Sequence, residues 1–354
     1  MNNDFLKLNE ILSSYSKGNK NRAYTKLKKI SVKYPENQKI KFNLGIMEQD
    51  QGLINKAKIT YKNLIDKFDN LNAKINLYLL YLKEKNYPNA LNIIELILKT
   101  NPELNDVLLD KAYILLKSKD IKNCFKICYS ILNKNYNNVI AINLIGLCLI
   151  EEKNYKEAEI KLLEGIKYKN DDIPLLNSIG KLYFEIWNLK KSEDFYFKAL
   201  QFNPKSYQTL NNLAGFYLET NRSKKALIYY KKALDILPNE ATILSNISKT
   251  YLSLSNIEKA EEYCLSALKI RSEDSFKKIL SIIYFQKQNF KRAWQYFDGR
   301  LGLNDFIEKN KSYKLISKKL LRNKKIDPNK KLLIVREQGV GDEILYGTIY
   351  HDLL

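Results

Sequence analysis

The stretch Tyr207–Glu240, YQTLNNLAGFYLETNRSKKALIYYKKALDILPNE, decides the fold. Leu213, Ala214 and Tyr217 fall in its first half, and Ala226, Tyr230, Ala233 and Pro238 in its second. The following stretch repeats the arrangement with Ile247, Ser248, Tyr251, Ala260, Cys264 and Ala267. The small residue early in each second half recurs as Ala23, Ala57, Ala90, Cys124, Ala158, Ser192, Ala226, Ala260 and Ala293, always 33 or 34 residues apart. A period of this length is that of a two-helix repeat, so the fold class expected is all-α, a solenoid of about nine units.

Elementary packing gives the same answer. Leu210, Leu213 and Tyr217 lie three and four residues apart and form the buried stripe of a first helix. Ala214 facing Ala226 lets two helices approach to the low end of about 8–10 Å. Asn221 can end the first helix in a left-handed conformation, and Ser223 is expected to cap the second. Gly18 and Gly52 make the same turn in the first two units. Pro238 stops the second helix, and Asn239 is expected to cap its successor. One unit cannot bury its own stripe, whereas a stack of them can.

On these residues the chain resembles the tetratricopeptide-repeat (TPR) family over residues 4–305. The matching early small residues are Gly45, Gly146, Gly180, Ala214 and Ser248, and the closing proline is kept at Pro35, Pro102, Pro204 and Pro238. The family's leading aromatic is replaced by aliphatic residues such as Leu176, Leu210 and Leu244. The resemblance implies a groove lined by first helices that takes a protein or peptide. Asn43, Asn76, Asn212 and Asn246 share one register in those helices and resemble the asparagine ladder of the O-GlcNAc transferase array. A carboxamide both donates and accepts, so it can hold any extended main chain. Asp110, Leu144, Ser178 and Ile279 interrupt that register. The clamps that grip acidic chaperone tails carry an asparagine just after the small residue. This chain has Ile46, Leu147, Lys181, Gly215 and Lys249 there, so that partner is not expected.

Composition narrows the classes. Formal net charge is +21, almost all from lysine, with seven arginines. Many lysines, such as Lys224, Lys225, Lys231 and Lys232, fall on second helices, the outward face of such an array. No nucleic-acid-reading motif accompanies the charge, so nucleic acid is not expected as a partner. No apolar stretch is long enough to span a membrane, and no signal peptide is visible, which points to the cytoplasm. The cysteines, Cys124, Cys128, Cys148 and Cys264, lack a C-x-x-C pair and read as core thiols. The single histidine, His351, leaves no His-based triad or metal site elsewhere, and no metal is expected.

The repeat ends near residue 305, with Trp294, Phe297 and Arg300 at spacing three. A lysine-rich linker over 306–331 follows, and 332–354 then changes class. Leu332–Val335 reads as a buried strand, followed by a glycine turn at Gly339 and Gly341, then Asp342 and a helix. Together these features resemble bacterial TPR–glycosyltransferases, whose catalytic domain is similar to two-lobed heptosyltransferases. The resemblance implies that Asp342 acts as general base on an acceptor hydroxyl and that Gly339 and Gly341 shape the acceptor pocket. It also implies a nucleotide-sugar donor for a full-length relative and a catalytic domain cut off in this chain, which by itself needs no cofactor and is expected to be inactive. Asp342 as a simple helix cap is the structural alternative. A stand-alone scaffold that assembles other proteins is the functional one.

Overall fold

In the computed structural model the structure describes residues 2–297, with side chains from residue 8 to residue 296. All regular structure among the described residues is helical, eighteen helices in sequence. The elements expected over 306–331 and 332–354, with Arg300, Gly339, Gly341 and Asp342, lie outside the described residues.

The described residues divide into two compact units, the boundary falling between Leu254 and Ser255. The first begins with α1 (Asn2–Ser16), α2 (Lys20–Lys33), α3 (Gln38–Asp50), α4 (Ile54–Phe68) and α5 (Leu71–Lys83). It continues through α6 (Tyr87–Thr100), α7 (Asn105–Lys117), α8 (Ile121–Lys134), α9 (Val139–Glu151) and α10 (Tyr155–Tyr168). It closes with α11 (Ile173–Glu185), α12 (Leu189–Phe202), α13 (Tyr207–Glu219), α14 (Ser223–Ile236) and α15 (Ala241–Ser253). The second unit holds α16 (Ile257–Ile270), α17 (Asp274–Gln286) and α18 (Phe290–Phe297).

Within the first unit each odd-numbered helix packs on the even-numbered helix that follows it, as α13 does on α14. The expected stripe is the core: Leu213, Ala214, Tyr217, Ala226, Tyr230 and Ala233 are all buried. Odd-numbered helices also touch one another along the row α7, α9, α11, α13 and α15, which makes them a continuous layer. In the second unit Trp294 is partly exposed and meets Phe285 edge-on, ring centroids 5.4 Å apart. Three of the buried cysteines, Cys124, Cys128 and Cys148, sit in one core cluster. The neighbouring Cys124 thiol, and burial after it, hold Cys128 and Cys148 well above the ordinary thiol range, which keeps them protonated. In the second unit the Cys264 thiol donates to the Phe276 carbonyl at 3.3 Å.

The turns follow one geometry. Gly18, Gly52, Lys85, Lys119, Lys153, Trp187, Asn221, Ser255 and Gln288 all have positive φ, and they recur at the 33- or 34-residue period. Around Asn221, its own N–H reaches the Leu218 carbonyl at 3.0 Å and the Arg222 N–H reaches Tyr217 at 2.7 Å. These paired bonds close a helix C-terminus over a left-handed residue. Two expected caps are displaced. Ser223 is the first residue of α14, and its hydroxyl bonds the Ser253 hydroxyl at 2.7 Å instead of an amide. Asn239 stands one residue too early, so Glu240 takes the cap and accepts from the Thr242 N–H at 3.3 Å.

Lysine at a left-handed position carries a steric cost of about 1–2 kcal/mol that glycine avoids. Lys153→Gly is therefore expected to stabilise the chain by about 1 kcal/mol, read as a raised denaturant midpoint at constant m-value. Lys156→Gly, inside α10, serves as control and should lower the midpoint.

Candidate binding groove

The layer of odd-numbered helices borders an open cavity of about 1060 Å³, reaching from Asp106 on α7 to Asn246 on α15. Each helix contributes positions fixed by the early small residue of its repeat. The residue two before it gives Asp110, Leu144, Ser178, Asn212 and Asn246, and all five line the cavity. The residue three before it gives Leu109, Asn143, Asn177 and Asn211, which line it as well.

Of the four ladder residues expected from sequence, Asn212 and Asn246 are in the groove. Asn212 is exposed there, and Asn246 donates its amide to the Asn211 carbonyl oxygen at 3.1 Å. Asn43 and Asn76 are not part of this cavity. Asn43 donates to the Lys39 carbonyl of its own helix at 2.8 Å, and Asn76 donates to the Tyr61 hydroxyl at 3.2 Å. The groove holds a second row that the sequence reading missed, Asn143, Asn177 and Asn211, spaced by one repeat each. Their 34-residue spacing was a signal in plain sight, one position earlier than the register chosen.

This second row has unusual bonding. Asn143 and Asn177 are 9% and 8% exposed, and the Oδ1 atom of each is buried without a hydrogen-bond partner. Asn177 spends its amide on Thr209 Oγ1 at 2.9 Å, and Thr209 is in turn bonded to the Ser206 hydroxyl. The Thr209–Ser206 link fixes the Asn177 side chain and leaves its oxygen unused. An unpaired buried acceptor costs about 1–3 kcal/mol, so such atoms are rare unless something else satisfies them.

Charged groups on the groove wall are few for so basic a chain: Asp106, Asp110 and Glu219 against Lys117 and Lys181. Asp110 is partly buried and accepts from the Tyr78 hydroxyl at 2.9 Å. Burial raises its carboxyl above the ordinary value, opposed by that hydrogen bond and reinforced by the charge of Asp106. Beside it, burial pushes the Tyr113 hydroxyl up to about 12. Burial, and then the neighbouring Lys181, lower the Lys117 ammonium. Lys181 is paired with Glu151 at 2.8 Å, which holds the Glu151 carboxyl below its usual range. Among the described residues no group of three or more His, Cys, Asp or Glu side chains could hold a metal ion, and no helix is long and apolar enough to cross a membrane.

Comparisons with known proteins agree with this architecture. Residues 205–273 match the family model of the tetratricopeptide repeat, and residues 83–165 match that of anaphase-promoting complex, cyclosome, subunit 3. The crystal structure of a tetratricopeptide repeat protein from Parabacteroides merdae superposes with a TM-score of 0.50 at 18% identity, covering 79% of this chain and 98% of that one. A chain of the APC/C hetero-tetramer Cut9–Hcn1 gives 0.48 at 16% identity, over 75% of this chain and 52% of that one. No curated protein matches the sequence. The fold is that of a tetratricopeptide-repeat solenoid. The glycosyltransferase resemblance rests on residues outside both matched segments.

Proposed function

We propose that this chain is a protein-binding scaffold whose groove holds an extended peptide segment by its main chain. The observation that carries the reading is the pair of buried, unpartnered carboxamide oxygens of Asn143 and Asn177 on neighbouring helices. Main-chain N–H groups of an extended segment are the natural donors for such a row. Fluorescence anisotropy with labelled, degenerate nonapeptide pools tests it, each peptide spanning about 30 Å when extended. Asn143→Ala with Asn177→Ala is expected to weaken binding at least about tenfold, since each lost bond is worth about 1 kcal/mol. Stability should change little, because losing the Asn177–Thr209 bond is offset by removing two unsatisfied acceptors. Equal binding by variant and parent, or no binding to any pool, would sink the reading.

A finer version assigns the groove to substrate recognition by a glycosyltransferase, supported by the sequence LLIVREQGVGDEILYG over 332–347. Asp342 is then the base, Gly339 and Gly341 bound the acceptor site, and a nucleotide sugar is the donor. In this version the protein works in the cytoplasm. Immunoblotting of source cells with antibody to the repeats decides between the versions. A product much larger than 41.5 kDa favours the enzyme arm, and one of that mass favours the stand-alone scaffold.

A further inference from the structure

The groove's carboxylates have no cation of their own. The chain carries 60 Lys and Arg against 39 Asp and Glu. Yet among the described residues neither Asp106 nor Asp110 has an ion-pair partner, and they lie one helical turn apart on α7, both lining the cavity. The two lysines on the same wall are engaged elsewhere. Lys117 lies over the Tyr113 ring at 5.3 Å, and Lys181 is held by Glu151. Asp106 gains something from the α7 N-terminus, but Asp110, a turn further in, does not.

A second observation comes from another helix pair. Asn143 on α9 and Asn177 on α11 line the same cavity, and the Oδ1 atom of each is buried and unpartnered. All four groups are acceptors. A ligand that satisfies them must be rich in N–H donors and positively charged at the α7 end. We propose, resting on the peptide-groove reading above, that the groove selects a cationic segment, with a lysine or arginine side chain on Asp106 and Asp110 and adjacent main-chain amides on Asn143 and Asn177. An ammonium brings three donors and a guanidinium five, and either is attracted to paired carboxylates in a partly desolvated wall. Acidic segments are repelled from the same place, so the chain's large positive charge does not make this groove a polyanion site.

The test uses the full chain and four labelled nonapeptide pools, uncharged at every position except a fixed central Arg, Lys, Ala or Glu. The Arg and Lys pools are expected to bind about tenfold tighter than the Ala pool, and the Glu pool more weakly still. Within the variant Asp106→Asn with Asp110→Asn this ranking should be abolished, the Arg, Lys, Ala and Glu pools binding alike. Circular dichroism and the thermal midpoint confirm that the variant is folded. If the Ala or Glu pool binds as tightly as the Arg pool, the cationic preference is wrong while the peptide groove stands. If no pool binds, the groove reading itself fails and this inference falls with it. A Glu pool that binds most tightly would reverse the assignment of charge.

Discussion

Gly146→Val is expected to destabilise the chain by about 3 kcal/mol, at the upper end of overpacking costs. A Cβ built on Gly146 meets Leu162 Cδ2 at 2.3 Å and Cγ at 2.4 Å. Leu162 is fully buried and belongs to the same core cluster as Gly146's neighbours on α9, so it has nowhere to withdraw. The contact joins the two helices of one repeat, and in a solenoid each repeat leans only on its neighbours. Denaturant unfolding should show a lowered midpoint. Leu162→Ala costs about 2–5 kcal/mol by itself, but combined with Gly146→Val it should cost less than the two separately. Strict additivity would mean that the clash is relieved elsewhere. The same arrangement recurs where a Cβ on Gly45 meets the Tyr61 ring and one on Gly180 meets the Tyr196 ring, at 2.6 and 2.7 Å.

The second large effect concerns a buried charge. The Lys74 side chain on α5 is only 4% exposed, and its ammonium pairs with Asp69 Oδ1 at 2.5 Å, whereas Asp69 is 73% exposed. Removing the counter-charge leaves a cation in the core. Asp69→Asn is expected to cost about 2 kcal/mol, below the value for a fully buried pair because water reaches the aspartate side. Asparagine is chosen because position 69 has φ 50 and tolerates it, so the backbone term is held constant. Lys74→Met should be neutral or stabilising, and in that background Asp69→Asn should cost almost nothing. A cost for Asp69→Asn that persists in the Lys74→Met background would place its origin in the turn and not in the ion pair.

The sequence carried the repeat because close helix approach demands a small side chain at the same place in every unit. Gly146 and Ala226 show that demand openly. It carried the groove less well. Positions two and three before the small residue are about 100° apart around the helix, and both face the cavity. Periodicity alone could not say which row holds the unpaired oxygens. Asn212 and Asn246 were found through one row, while Asn143, Asn177 and Asn211 belong to the other. Asn43 and Asn76 share the chosen register but spend their amides on Lys39 and Tyr61. The caps slipped by a residue for a related reason. Only one residue before each helix can reach its first amides, and Ser223 and Asn239 flank it. Lys74 gave no sign of burial, because a lysine on an amphipathic helix reads as solvated until its neighbours are placed.

The left-handed turn that recurs once per repeat has a consequence for how such a chain changes over generations. Its closure is made by main-chain bonds, and the position is filled by Gly, Lys, Trp, Asn, Ser or Gln without loss of register. A duplication or loss of one 34-codon block therefore meets a matching seam on both sides, whatever its sequence. Groove length then follows the number of blocks, while side-chain bonds that cross from block to block, such as Asn246 to Asn211, must be matched again at each new junction.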